Sequence, residues 1–150
     1  MTTFSYKKGK KCLVQTTTCS SGKEFKKMIK IRDTLEWSFY ETKESACFGL
    51  RSRKHYILQP KKRILVSTGV YIDKMDADLH GQMNSKSVIA YKYGVVVFNA
   101  PGIIDADYKD EIKVLPYNYS EEDYIIKRGN AVAHMQITKM LSLQQQKALQ

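Results

Sequence analysis

Ala100-Pro101-Gly102-Ile103-Ile104-Asp105-Ala106-Asp107-Tyr108-Lys109-Asp110-Glu111-Ile112 is the stretch on which the reading of this chain turns. Pro and Gly punctuate its start, two isoleucines follow, and an acid and an aromatic then stand three apart among polar residues. The pattern predicts a hairpin. An Asp and a Tyr held on a tight β-turn over an apolar floor can grip a sugar, with the ring packing on it and the carboxylate accepting from a hydroxyl. A solvated hairpin tip is the other reading of the same residues.

Working outward, short β-rich runs lie on both sides. Ile29 and Ile31 alternate with charges. Leu35–Tyr40 puts Trp37 and Phe39 on one face. Tyr56-Ile57-Leu58 and Ile64-Leu65-Val66 flank a Pro-containing turn, and Val70-Tyr71-Ile72 follows Gly69. Val95-Val96-Val97-Phe98 is continuously apolar, as in a strand buried on both faces. Ile112 and Val114, Tyr124 to Ile126, and Ala131 to Ile137 complete the set. Many short strands at this spacing predict an all-β barrel or sandwich. The only helical periodicity is at the end, where Met140, Leu141, Leu143 and Leu149 predict a short C-terminal helix or a tail.

Length and charge narrow the function classes. The 150 residues, 43% of them hydrophobic, suffice for one core. The formal net charge is +10 and is asymmetric: residues 1–63 hold 16 Lys/Arg against five acids, and the remainder holds nine against ten. Lys7, Lys8, Lys10, Lys11, Lys23, Lys26 and Lys27 therefore form a candidate polyanion-binding arm, with Phe4, Tyr6 and Phe25 as stacking partners. A solubilising arm is the alternative. No apolar run is long enough for a membrane helix, and the N-terminus lacks the apolar segment of a secretory signal, so an intracellular protein without membrane insertion is expected. Three cysteines without a C-x-x-C pair, and His55, His80 and His134 without ligand spacing, point to no metal site. Asp73, Asp76 and Asp78 lack the Gly and closing Glu of a calcium loop.

The quoted hairpin resembles the third motif of the trimeric dUTPase family, and other segments fall into order around it. Lys27 to Arg32 is similar to that family's first strand, Ser45-Ala46-Cys47-Phe48-Gly49-Leu50 to its first motif, and Ser85-Lys86-Ser87 to its second. Lys127-Arg128-Gly129-Asn130-Ala131-Val132-Ala133-His134-Met135 resembles the fourth. The resemblance implies a dUTPase-like β-clip or distorted jelly-roll barrel at 26–140, after a basic N-terminal extension at 1–25 and before a C-terminal tail at 141–150. It also implies a homotrimer. Asn99, Gly102, Asp105 and Tyr108 match the positions that hold deoxyuridine, and Asp105 matches the acid that activates the attacking water. Lys86, Ser87 and His134 match phosphate-binding positions.

Departures from the family pattern lie on the phosphate side. Gly49 stands where an acid helps position hydrated Mg²⁺, Lys86 replaces an Arg, His134 replaces a Gln, and Asn130-Ala131 replaces an Asp-Arg pair. The Gly-rich fifth motif has no counterpart in 141–150. Positioning and charge neutralisation carry phosphoanhydride hydrolysis, so these losses compound. The expectation is a degenerate viral or phage pseudoenzyme. It would keep only weak affinity for a deoxyuridine nucleotide and act by binding a nucleotide, nucleic acid or a host protein. Two alternatives accompany it: a divergent active dUTPase, needing Mg²⁺, that hydrolyses dUTP to dUMP and pyrophosphate; and a trimeric structural or capping protein of a virus particle.

Overall fold

Alternating burial organises the chain into thirteen described strands and one described helix. A computed structural model describes residues 2–7, 10–18, 24–35, 40–42 and 44–140, with side chains from Ile29 onward. The strands are β1 (Thr2–Lys7), β2 (Lys10–Thr18), β3 (Glu24–Asp33), β4 (Phe48–Arg51), β5 (Tyr56–Leu58), β6 (Val66–Met75) and β7 (Leu79–Asn84). After helix α1 (Ser87–Tyr93) come β8 (Val95–Val97), β9 (Gly102–Ile104), β10 (Ile112–Val114), β11 (Pro116–Asn118), β12 (Tyr124–Ile126) and β13 (Ala131–Lys139).

Two larger sheets, in the orders β1-β2-β3-β6-β10 and β4-β13-β7-β9, are joined by the ribbons β11-β8 and β12-β5, and every pairing is antiparallel. Their inner faces share one core. Ile31, Val70, Ile72, Ile112 and Val114 come from the first sheet, and Phe48, Leu50, Met83, Ala133 and Met135 from the second. Each of these side chains larger than Ala133 contributes about 1.5–3 kcal/mol on burial, which is what holds short strands in register.

One kink in the first sheet bears on the hairpin. Between β6 and β10 the register jumps from Ile112↔Val70 to Lys113↔Ser67, leaving Thr68 and Gly69 as a bulge. Gly69 has φ +71, and a Cβ there would sit 2.4 Å from the Thr34 hydroxyl and 2.8 Å from Arg53 Cδ, so no other residue fits without displacement.

The all-β expectation stands, with several local corrections. The N-terminal extension carries two strands, β1 and β2, and both continue the β3 sheet. The strand expected over Leu35–Tyr40 is a turn at Thr34–Leu35 and a lone bridge from Tyr40 to Phe48; its middle, 36–39, lies outside the described residues. Val96 is half-buried rather than covered on both faces, because the ribbon β8-β11 has one face open. A helix that the sequence reading did not expect falls at Ser87–Tyr93, and the helix or tail expected at the C-terminus lies outside the described residues. Residues 141–150, and the side chains of Lys7, Lys8, Lys10, Lys11, Lys23, Lys26 and Lys27, lie outside the described set. No helix among the described residues is long and apolar enough to cross a membrane.

Candidate functional site

The hairpin exists and is pinned at both ends. Its entry strand β9 pairs with β7, with Gly102 opposite Met83 and Ile104 opposite Gly81. The Asn99 amide lies close over Gly102, where a Cβ would come within 3.4 Å of it. At the tip the Tyr108 amide donates to the Asp105 carbonyl at 3.1 Å, closing the turn, and the Tyr108 hydroxyl donates to the Glu111 carbonyl at 3.2 Å. The Asp105 and Tyr108 side chains are exposed.

The exit end is held by Glu111. Its Oε1 accepts from the Gly69 amide at 2.7 Å and from the Ser67 hydroxyl, so a carboxylate fills the β6 bulge. Partial burial alone would raise its pKa. The hydrogen bonds from Ser67 and Gly69 and the charges of Lys113 and Arg53 outweigh that, and the pKa is lowered from the usual 4.5. Glu111 is therefore ionised when folded. Its stabilisation is present above pH 4.5 and lost as pH falls through the lower folded value. Glu111→Gln is expected to cost about 1 kcal/mol at neutral pH, discounted for partial exposure, and to converge on the parent stability in acid. Urea denaturation at several pH values measures this.

A second cluster lies at the other end of β7, where the chain leaves Asn84 for Lys86. Residues paired directly across neighbouring strands share a face, so the register Gly49↔His134↔Asn84 sets His134 beside bare Gly49. Lys86 Nζ is 2.8 Å from His134 Nε2 and 3.5 Å from Glu41 Oε1. Burial, and then the Lys86 charge, push the His134 pKa below the usual 6.5, with Glu41 opposing. A neutral imidazole that accepts at Nε2 carries its proton on Nδ1, and it leaves the ammonium as donor. An open pocket of about 230 Å³ adjoins this cluster, lined by Glu41, Ser45, Ala46, Cys47, Gly49 and His134. Burial raises the Cys47 pKa, which keeps the thiol protonated. A Cβ built at Gly49 meets only Ala131 Cβ, at 3.9 Å.

Of the anticipated residues, Lys86 and His134 are thus in contact, and Asn99, Gly102, Asp105 and Tyr108 share one hairpin. Ser87 is exposed at the start of α1. Within one chain the hairpin tip stands apart from Lys86: Gly81, the partner of Ile104, lies three residues, about 10 Å, from the Asn84 end of β7, and Asp105 continues further away, whereas Gly102, opposite Met83, lies near that end with Asn99 over it. None of the four hairpin residues lines the pocket.

Glu41 and Glu111 were not anticipated. Glu41 carries no spacing signal, and its proximity to Lys86 arises only from the fold. Glu111 stood inside the quoted stretch, but its partner, an amide in a β-bulge, has no sequence signature. As for Mg²⁺, Gly49 offers no ligand and Glu41 is the pocket's one carboxylate. No group of three or more His, Cys, Asp or Glu suited to a metal occurs among the described residues. The described side chains of this pocket therefore do not fit a resident cation.

Comparison with known proteins bears on what this arrangement does. The sequence model of the dUTPase family matches residues 35–150. The chain is 38% identical over 102 residues to a deoxyuridine 5'-triphosphate nucleotidohydrolase of Nautilia profundicola, covering 68% of this chain and 71% of that protein. It is 39% identical over 103 residues to the enzyme of the same name from Cytophaga hutchinsonii, covering 67% and 66%. Among solved structures, the fold is similar to that of a dUTPase from Streptococcus mutans, with TM-score 0.66 at 20% identity, covering 71% of this chain and 87% of that one. It is likewise similar to the dUTPase of Staphylococcus aureus phage phi11, with TM-score 0.69 at 17% identity, covering 76% and 91%. The jelly-roll expectation stands on these neighbours. The expectations of a non-catalytic protein, a pseudoenzyme and a viral protein are overturned: the curated relatives are nucleotidohydrolases named from Nautilia and Cytophaga. Lys86 and His134, which stand at two of the departing positions, contact each other in the fold.

Proposed function

Because the chain belongs to the dUTPase family, we propose that it hydrolyses dUTP to dUMP and pyrophosphate. The observation that carries this reading is the pinned Asp105–Tyr108 turn, which keeps an exposed carboxylate and an exposed ring together on a fixed backbone. Asn99 and Gly102 give a base edge a polar side chain and a close backbone approach, and Tyr108 packs against the sugar. Asp105 takes the proton from water as its oxygen bonds to the α-phosphorus. The bond from that phosphorus to the bridging oxygen breaks, and pyrophosphate leaves with the electron pair. Lys86, held by His134, offsets charge on the phosphates.

The separation of hairpin and pocket along β7 supports assembly between copies, with one chain's hairpin meeting another's pocket. A homotrimer, as the family resemblance implies, satisfies this with one repeated contact. The reading predicts pyrophosphate release from dUTP at about 1 s⁻¹ or faster; absence of release above background overturns it. Mixing Asp105→Asn with Lys86→Met, each inactive alone, is expected to restore about a quarter of parental activity on subunit exchange, since each site draws on two chains. No recovery after verified exchange would place both groups of one site in the same chain.

A further inference from the structure

Lys86 faces two acceptors of unequal standing. His134 Nε2 lies 2.8 Å from the ammonium and is fixed in β13. Glu41 lies at 3.5 Å, beyond ordinary charge-assisted hydrogen-bond length. The Lys86 side chain is only 16% exposed, whereas that of Glu41 is 62% exposed. The cation is thus held in place, and the carboxylate reaches it from solvent. Glu41 also forms part of the pocket wall beside Lys86's partner His134. An anion entering that pocket meets Glu41 and His134, the two groups that share the Lys86 ammonium, and the carboxylate repels it at this range.

We propose that Glu41 is a displaceable counter-ion: in the empty site it occupies the free side of the Lys86 ammonium, and an incoming phosphate group takes its place while His134 keeps the ammonium oriented. This rests on the proposed nucleotide-binding role of the pocket and adds to it a built-in competitor. A phosphate group carries more charge and more acceptor oxygens than a carboxylate, so the exchange favours the ligand. The weak, solvated pair costs little to break. The cost of parting the pair is the same for every anion, so a di- or triphosphate, which gains most from the freed ammonium, overcomes it where a monoanion does not.

The test is calorimetric titration with inorganic pyrophosphate in the presence of a chelator, so that it reads anion binding apart from turnover and apart from metal. Glu41→Gln is expected to tighten binding about two- to five-fold, the range of an exposed ion pair. Glu44→Gln changes the net charge equally at an exposed neighbouring site and is expected to have no such effect. In a Lys86→Met background, or Lys86→Gln if the first is unstable, Glu41→Gln is expected to lose its effect. The proposal is overturned if Glu41→Gln leaves affinity unchanged or weakens it. An equal gain in Glu44→Gln, or a gain that persists without Lys86, also overturns it, as does failure of both parent and Glu41→Gln to bind pyrophosphate. A protein that binds pyrophosphate in this pattern yet fails to turn over dUTP would retain the counter-ion and lose the assigned reaction.

Discussion

Asp105→Asn is expected to lower kcat for dUTP by about 10²–10⁴-fold while leaving KM within about threefold. The amide has the size of the carboxylate but cannot accept the water's proton. The fold should not notice the change. The turn is closed by the backbone carbonyl of residue 105, not by its side chain, and that side chain is exposed. The melting temperature should therefore match the parent, and it separates a chemical loss from a structural one. Steady-state pyrophosphate release with thermal denaturation on the same sample makes the measurement. A kcat near the parental value would remove Asp105 from the reaction.

The largest loss of stability is expected at Asn118. It is fully buried at the end of β11, and its Nδ2 donates to the Leu58 carbonyl at 2.9 Å and the Glu122 carbonyl at 2.7 Å. Its Oδ1 accepts from the Ser120 amide at 2.9 Å and the Ser120 hydroxyl at 2.7 Å. One amide thus ties β5 to the 118–122 turn. Asn118→Leu keeps the branching at Cγ, strands these partners and adds volume at a fully buried site, at a cost of about 3 kcal/mol. For a chain of this size the melting temperature should fall by roughly 10 °C. A shift within about 2 °C would mean that water replaces the lost partners.

How far the sequence reached follows from how local each signal was. Tyr124–Ile126 was readable because it is wholly aromatic and β-branched, and Ala131–Lys139 because Ala133, Met135 and Ile137 alternate with polar residues. β7 went unread: Leu79, Gly81 and Met83 do alternate inward, but Gly, Gln and Asn are poor strand formers, and pairing on both sides supplies what propensity lacks. Helix α1 was hidden by Val88, Ile89, Tyr91 and Tyr93, which favour strands; Gly94 in the left-handed region ends it. In the site, the hairpin residues were legible because they are contiguous. Of the Lys86–His134–Glu41 cluster, Lys86 and His134 were reached only through the family resemblance and Glu41 not at all, since the cluster joins three segments across 45 and 48 residues of sequence.

Gly49 has a meaning for the history of the molecule as well as for its chemistry. The position faces His134 across the strand pair, opens on the pocket, and has room for a side chain, with a backbone that any residue can adopt. Every glycine codon is a single base from a codon for Asp or Glu. A carboxylate in that wall is therefore one point mutation away, in a scaffold that would not need to move to receive it. The absence of an acid at this site is not locked in by packing.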